Sequence, residues 1–138
     1  MLLLHGWDPA EPDNMFWFTI GGAAEPGETL REAAARELRE EVGITVDQAL
    51  LGEPIETAPI EFSWAGVLFV QDQTFYAIAR PEAEVSFAGQ DALERSTIDK
   101  HGWLLPGDLG SGDDRPADPQ LPRLMRLAAA AVLGPAGS

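Results

Sequence analysis

Short apolar runs at the start of the chain mark two strands, Leu2 to Leu4 and Met15 to Thr19, joined by the turn-rich DPAEPDN stretch, and their closeness in sequence predicts an antiparallel pair. Thr29-Leu30-Arg31-Glu32 then reads as a capping box, and Gly43 is placed to close a helix in a left-handed conformation, so the pattern predicts a helix over Leu30 to Val42. Leu30, Ala34 and Leu38 recur at four-residue spacing, a narrow stripe expected to lie on a sheet while the charged face looks outward. After this helix, Ile44 to Val46 and Leu51 to Glu56 are expected to extend. EFSWAGVLFVQDQTFYAIAR gives two apolar-aromatic runs about Gln71-Asp72-Gln73, expected to form a β-hairpin. Glycine and proline between residues 106 and 122 mark a loop, Leu121 to Leu133 reads as a second helix, and the GPAGS end is expected to fray. The expected fold class is α/β, with helices on two faces of a mixed sheet.

Length and composition narrow this picture. At 138 residues, 45% of them hydrophobic, the chain suits one domain over 1–138 with a single core, and no internal repeat is visible. It contains no cysteine, which excludes a disulfide framework and thiolate chemistry and agrees with a reducing cytoplasm. The leading MLLLHGW has no basic start and is too short to span a bilayer, so it reads as a strand and no membrane association is expected. A net charge of −14, nine Lys and Arg against 23 Asp and Glu, argues against a nucleic-acid polymer as partner; most of the excess acid serves solubility.

Part of that acid is organised. Glu37, Glu40 and Glu41 stand at i, i+3 and i+4 on the first helix, so three carboxylates share one face. Left uncompensated, each like-charged pair would weaken the helix by roughly a few tenths of a kcal/mol, which calls for a cation. All-oxygen donors favour a hard ion, and Mg²⁺ in particular combines a few carboxylates with water and a substrate phosphate. Gly21 and Gly22 upstream allow a tight turn and close approach of a metal or phosphate to the backbone. The plain alternative is a solvated amphipathic helix with internal Glu/Arg pairs; the glycines and the spacing weigh against it.

With Gly22, Glu28, Arg36, Glu37, Leu38, Glu40, Glu41, Gly43 and Ile44 in place, the segment from Gly22 to Ile44 resembles the signature of the Nudix hydrolases. That pattern is Gly, five residues, Glu, seven residues, Arg-Glu-aliphatic-any-Glu-Glu-any-Gly-aliphatic, and every specified position matches. Outside it the likeness is loose, and Ile20 stands where the family often has proline. The resemblance implies a Nudix-type α/β/α sandwich. It also implies hydrolysis of a phosphoanhydride in a nucleoside diphosphate linked to another moiety, by water attack on phosphorus with Mg²⁺ or Mn²⁺ in place. By carry-over, Gly21 (through its carbonyl), Glu37, Glu40 and Glu41 are the expected metal ligands. Arg36 would orient the carboxylates by paired hydrogen bonds, and Glu28 would brace the loop or reach the metal through water. Glu40 or Glu41 could serve as general base, but the family often recruits an acid from a distal loop. Glu94 is the choice here, Asp91 its rival, with an ordinary loop acid as the alternative for either.

The substrate moiety is less legible. Phe62, Trp64, Phe69, Phe75 and Trp103 could stack on a base, although aromatics in strands more often serve the core. Arg80 and Arg95 are candidate phosphate contacts or surface ion pairs, and Pro59 falls about where ADP-ribose-cleaving members carry a proline. In the family a further strand usually precedes the one at Leu2 to Leu4, so the sheet is expected to lack its usual first strand, and a homodimer is the favoured cover for the open edge. Beside the hydrolase stand two alternatives, a catalytically silent Nudix-fold ligand-binding protein and a small acidic α/β binding protein; the intact glutamates favour the hydrolase.

Overall fold

A computed structural model describes residues 1–21, 24–80 and 84–133, with the side chains of residues 62–64 and 133 left aside. Gly22 and the GPAGS end therefore lie outside the described residues, as do the side chains of Phe62 and Trp64. The elements are β1 (Leu2–Asp8), β2 (Glu11–Phe18), α1 (Leu30–Val42), β3 (Glu56–Trp64), β4 (Val67–Phe75), α2 (Ala92–Thr97), β5 (Ile98–Trp103) and α3 (Leu121–Leu133). Short 3₁₀ turns stand at Gln48–Leu51, Pro106–Asp108 and Gly112–Asp114.

β1 is the centre of a three-stranded sheet ordered β2-β1-β5, which explains why Leu2, Leu3, Leu4 and His5 are all buried. A strand covered on both faces carries an unbroken apolar run. Leu2 and Leu4 pack with Val42 and Ile44 at the end of α1, whereas Leu3 packs with Trp17 and with Leu121 and Met125 of α3. Alternation along one strand thus places α1 on one face of the sheet and α3 on the other. His5 is held from two sides: Nδ1 lies 2.6 Å from Asp99 Oδ1 and Nε2 lies 2.6 Å from the Asp113 carbonyl. That fixes β5 and the turn at Gly112–Asp114 against β1.

The strand pairing agrees with expectation at β1 and β2, which run antiparallel with Leu4 opposite Phe18 and Trp7 opposite Met15. The other side of β1 differs from the sequence reading. β5 fills it, Leu2 opposite Trp103 and His5 opposite Lys100, so both edges of β1 are paired within the chain. IDKHGW carries no alternating apolar pattern, so nothing local in the sequence predicts β5. All of these ladders are antiparallel, and the parallel component among the described residues is the single bridge between Trp17 and Pro116.

Further expectations are corrected. The hairpin forms, but its turn is Ala65-Gly66 rather than Gln71 to Gln73, with positive φ at both turn residues (52° and 82°), the twist-matched geometry of a two-residue hairpin. It is a separate two-stranded sheet, and its tip docks through buried Asp8, whose Oδ1 accepts from Ala65 N at 2.8 Å and Ala10 N at 2.9 Å. Second, α1 rests on the sheet by its C-terminal half: Leu38 and Val42 pack there while Leu30 is exposed. Glu41 consequently faces inward. Residues 44–46 form no strand, and the segment before β3 contains the 3₁₀ turn at Gln48–Leu51 instead. Among the described residues no helix is long and apolar enough to cross a membrane.

Candidate active site

Local chemistry fixes α1 at both ends. Thr29 Oγ1 accepts from Glu32 N at 3.1 Å, Glu32 Oε1 accepts from Thr29 N at 3.3 Å, and Gly43 at φ 73° donates to the Arg39 carbonyl. The phase of the helix is therefore set, and with it the direction of Arg36, Glu37, Glu40 and Glu41.

Arg36 is the hub. Its Nε donates to Glu28 Oε2 at 2.8 Å and its Nη2 to Glu28 Oε1 at 3.0 Å, while Nη1 donates to Glu37 Oε1 at 2.8 Å and Glu40 Oε2 at 3.1 Å. A planar fork of donors suits this arrangement, and a lysine could not reproduce it. The hydrogen bonds to Glu28, followed by the contacts to Glu37, hold the guanidinium above its ordinary range, and Arg36 in turn draws the Glu28 carboxyl below its own.

Glu41 stands apart from its neighbours by burial, with 5% of its surface accessible against 43% for the side chain of Glu40. Burial pushes its carboxyl up to about 9; a hydrogen bond and charge from Glu37 and the charge of Glu94 add to this, and the Gly21 N–H opposes it. The Gly21 contact is 3.4 Å from N to Glu41 Oε2, so the glycine approaches the carboxylate through its amide.

The opposite wall comes from the turn at residues 86–90 and from α2, a helix that the sequence reading passed over although Asp91-x-x-Glu94 is a second capping box. Asp91 Oδ1 accepts from Glu94 N at 2.8 Å and Glu94 Oε1 accepts from Asp91 N at 3.2 Å. Burial raises the Glu94 carboxyl, and the charges of Asp91, Glu37 and Glu40 raise it further. Glu94 thus lies near enough to Glu37, Glu40 and Glu41 for their charges to act on one another, and Asp91 starts α2. Gln90, not singled out from sequence, is buried and donates from Nε2 to the Glu41 carbonyl at 3.0 Å.

Other candidates stay outside this group. Arg80 lies half-buried beyond β4, and Trp103 is exposed at the end of β5; among the described residues no hydrogen bond or ion pair joins either to the carboxylates. Arg95 spends its Nη2 on the Ala88 carbonyl at 2.7 Å. Pro59 sits within β3 opposite Asp72, and Phe69 is partly exposed on β4.

As the side chains stand, no three His, Cys, Asp or Glu residues among those described close into a metal-holding group, since Glu37 and Glu40 are turned to Arg36. The donor chemistry nonetheless fits a hard divalent ion: Glu37, Glu40 and Glu41 offer carboxylate oxygens throughout, and that of Glu41 is buried.

The geometry can be set against known proteins. The NUDIX domain family description matches residues 1–126. The uncharacterized Nudix hydrolase orf19 of Rhodococcus erythropolis is 36% identical over 104 residues, covering 74% of this chain and 52% of that protein. The 8-oxo-dGDP phosphatase NUDT18 of Mus musculus is 34% identical over 104 residues, covering 70% of this chain and 27% of that protein. The chain thus spans about half the length of the first curated relative and about a quarter of the second. Among solved structures, the solution structure of the E. coli ORF135 protein superposes with a TM-score of 0.55 at 24% identity, over 98% of this chain and 84% of that one, a likeness of fold.

Proposed function

The chain belongs to the Nudix family, and on that premise we propose that it hydrolyses a phosphoanhydride bond in a nucleoside diphosphate linked to another moiety, by water attack on phosphorus. The observation that carries the reading is the buried Glu41 carboxyl beside Glu37, next to an Arg36 that orders Glu28, Glu37 and Glu40.

In this reading Glu37, Glu40 and Glu41, with the carbonyl of Gly21, would hold Mg²⁺ or Mn²⁺. The bound ion would supply neutralisation of the charge that develops on the phosphate. Arg36 keeps the carboxylates in register, Glu28 ties the preceding loop to α1, and Glu94 takes the proton of the attacking water. The raised carboxyl of Glu94 favours the last role, since a base works best when its proton affinity lies nearer the working pH. The name of the mouse relative puts nucleoside diphosphates first among substrates to try. Action in the cytoplasm suits a chain without cysteine.

A silent ligand-binding protein is the second reading, favoured by one observation, the engagement of Glu37 and Glu40 by Arg36. One experiment separates the two: phosphate and pyrophosphate release from nucleoside di- and triphosphates, ADP-ribose, other nucleotide sugars and dinucleoside polyphosphates. It is run with Mg²⁺, Mn²⁺ or chelator, on wild type and Glu41→Gln. Metal-dependent turnover reduced by roughly 10³-fold or more in the variant supports the hydrolase. A folded protein that binds metal and turns nothing over supports the silent reading.

A further inference from the structure

The last carbonyls of a helix have no partner inside it, and at the end of α1 the turn at residues 86–90 takes them up. Ser86 N donates to the Val42 carbonyl at 2.8 Å, and Gln90 Nε2 donates to the Glu41 carbonyl at 3.0 Å. Gly89 passes so near that a Cβ there would lie 2.9 Å from the Glu40 carbonyl oxygen, which makes the approach one of backbone on backbone. On its other side the turn is locked to α2 by Arg95 Nη2 on the Ala88 carbonyl, 2.7 Å, and by the Asp91–Glu94 capping box. Turn and helix form one unit, and Gln90 is the side chain that hydrogen-bonds this unit to α1.

Gln90 is 5% exposed, and its amide is only half satisfied. The carbonyl it faces fixes its orientation, because only the NH₂ end can donate to Glu41 O. Among the described residues Oε1 is then buried without a hydrogen-bond partner. An apolar side chain of the same length would remove the orphaned oxygen but would also take the donor from the Glu41 carbonyl, so the bond to α1 is what the amide supplies. What the amide provides is a fixed distance. It joins the backbone of Glu41 to a point one residue before the N-cap of α2 and four residues before Glu94.

We infer that Gln90 is a positioning residue: by anchoring the start of α2 to the main chain of Glu41, it sets the Glu94 carboxylate against the carboxylates of α1. The inference rests on the hydrolase reading for its kinetic consequence, whereas its structural half can be tested without turnover.

The test is Gln90→Met, which keeps length and apolar volume and removes the donor. Hydrogen exchange is followed by mass spectrometry, and thermal melting confirms a folded protein. Protection of the amides of residues 94–97 is expected to fall roughly tenfold while that of residues 33–38 holds. With the panel nucleotide that wild type turns over fastest, kcat is expected to fall roughly tenfold with KM within about twofold. In a Glu94→Gln background the same substitution is expected to lower kcat by less than about twofold, because its effect passes through Glu94. Unchanged exchange in α2 overturns the inference, as does a full tenfold loss in the Glu94→Gln background. Absence of turnover from wild type overturns the hydrolase reading instead, and the exchange experiment then decides the anchor alone.

Discussion

Arg36 grips Glu28 at two points across eight positions of sequence, Nε to Oε2 at 2.8 Å and Nη2 to Oε1 at 3.0 Å. The same guanidinium holds Glu37 and Glu40, so one side chain ties the loop before α1 to the carboxylates on it. Charge alone does not specify this; the flat fork of donors does.

Arg36→Lys therefore keeps the charge and loses the geometry. Hydrolysis is expected to fall about 10²-fold, as for a misplaced reacting group, with helix content unchanged by circular dichroism. Activity within a factor of two of wild type would remove Arg36 from the proposed machinery.

Glu41 gives a pH dependence with a definite sign. Its folded-state carboxyl, pushed up mainly by burial to about 9, keeps its proton more tightly than the unfolded chain does at about 4.5. Below the lower value both states hold the proton and the stabilisation is complete; it is lost as pH rises from there through about 9. Melting temperature in chelator should fall across this window in wild type and vary less in Glu41→Gln. Divalent-ion binding, which displaces that proton, should strengthen with pH.

Glu94 and Asp91 share a capping box and separate by substitution. Glu94→Gln retains an acceptor for the Asp91 amide but no base, and turnover should fall about 10²- to 10⁴-fold with little change in stability. Asp91→Ala removes the N-cap and should lower stability by about 1 kcal/mol. If Asp91→Asn, which preserves the cap, proved the more damaging to turnover, the assignment of the base would be reversed.

Gly6 tests the β1–β5 contact. A Cβ there would lie 2.1 Å from the Thr97 carbonyl oxygen, at the point where the register between the strands shifts. Gly6→Ala should cost about 2 kcal/mol or more by overpacking, read from chemical denaturation, and an unchanged midpoint would contradict the pairing.

Much of the site was legible because its chemistry is local. The capping box at Thr29, the left-handed Gly43 and the three-and-four spacing of Glu37, Glu40 and Glu41 are properties of one helix, and the structure reproduces that helix from Leu30 to Val42. The Asp91–Glu94 box was equally local and would have located α2. The hairpin turn is also written locally, in Ala65-Gly66, although the polar Gln71-Asp72-Gln73 between apolar runs is the stronger break in the pattern.

What the sequence by itself determined is the helix, its caps, its family signature and the acidic face. Each is written in one continuous stretch, Gly22 to Ile44, where helical periodicity relates the residues to one another. Tertiary structure alone decided that β5 lies beside β1, that Leu30 is exposed while Glu41 is buried, and that Gln90 hydrogen-bonds to the end of α1. Desolvation and long-range contact are properties of the packed chain. A glutamate has the same letter on a wet face as in the core, and only packing separates Glu40 from Glu41.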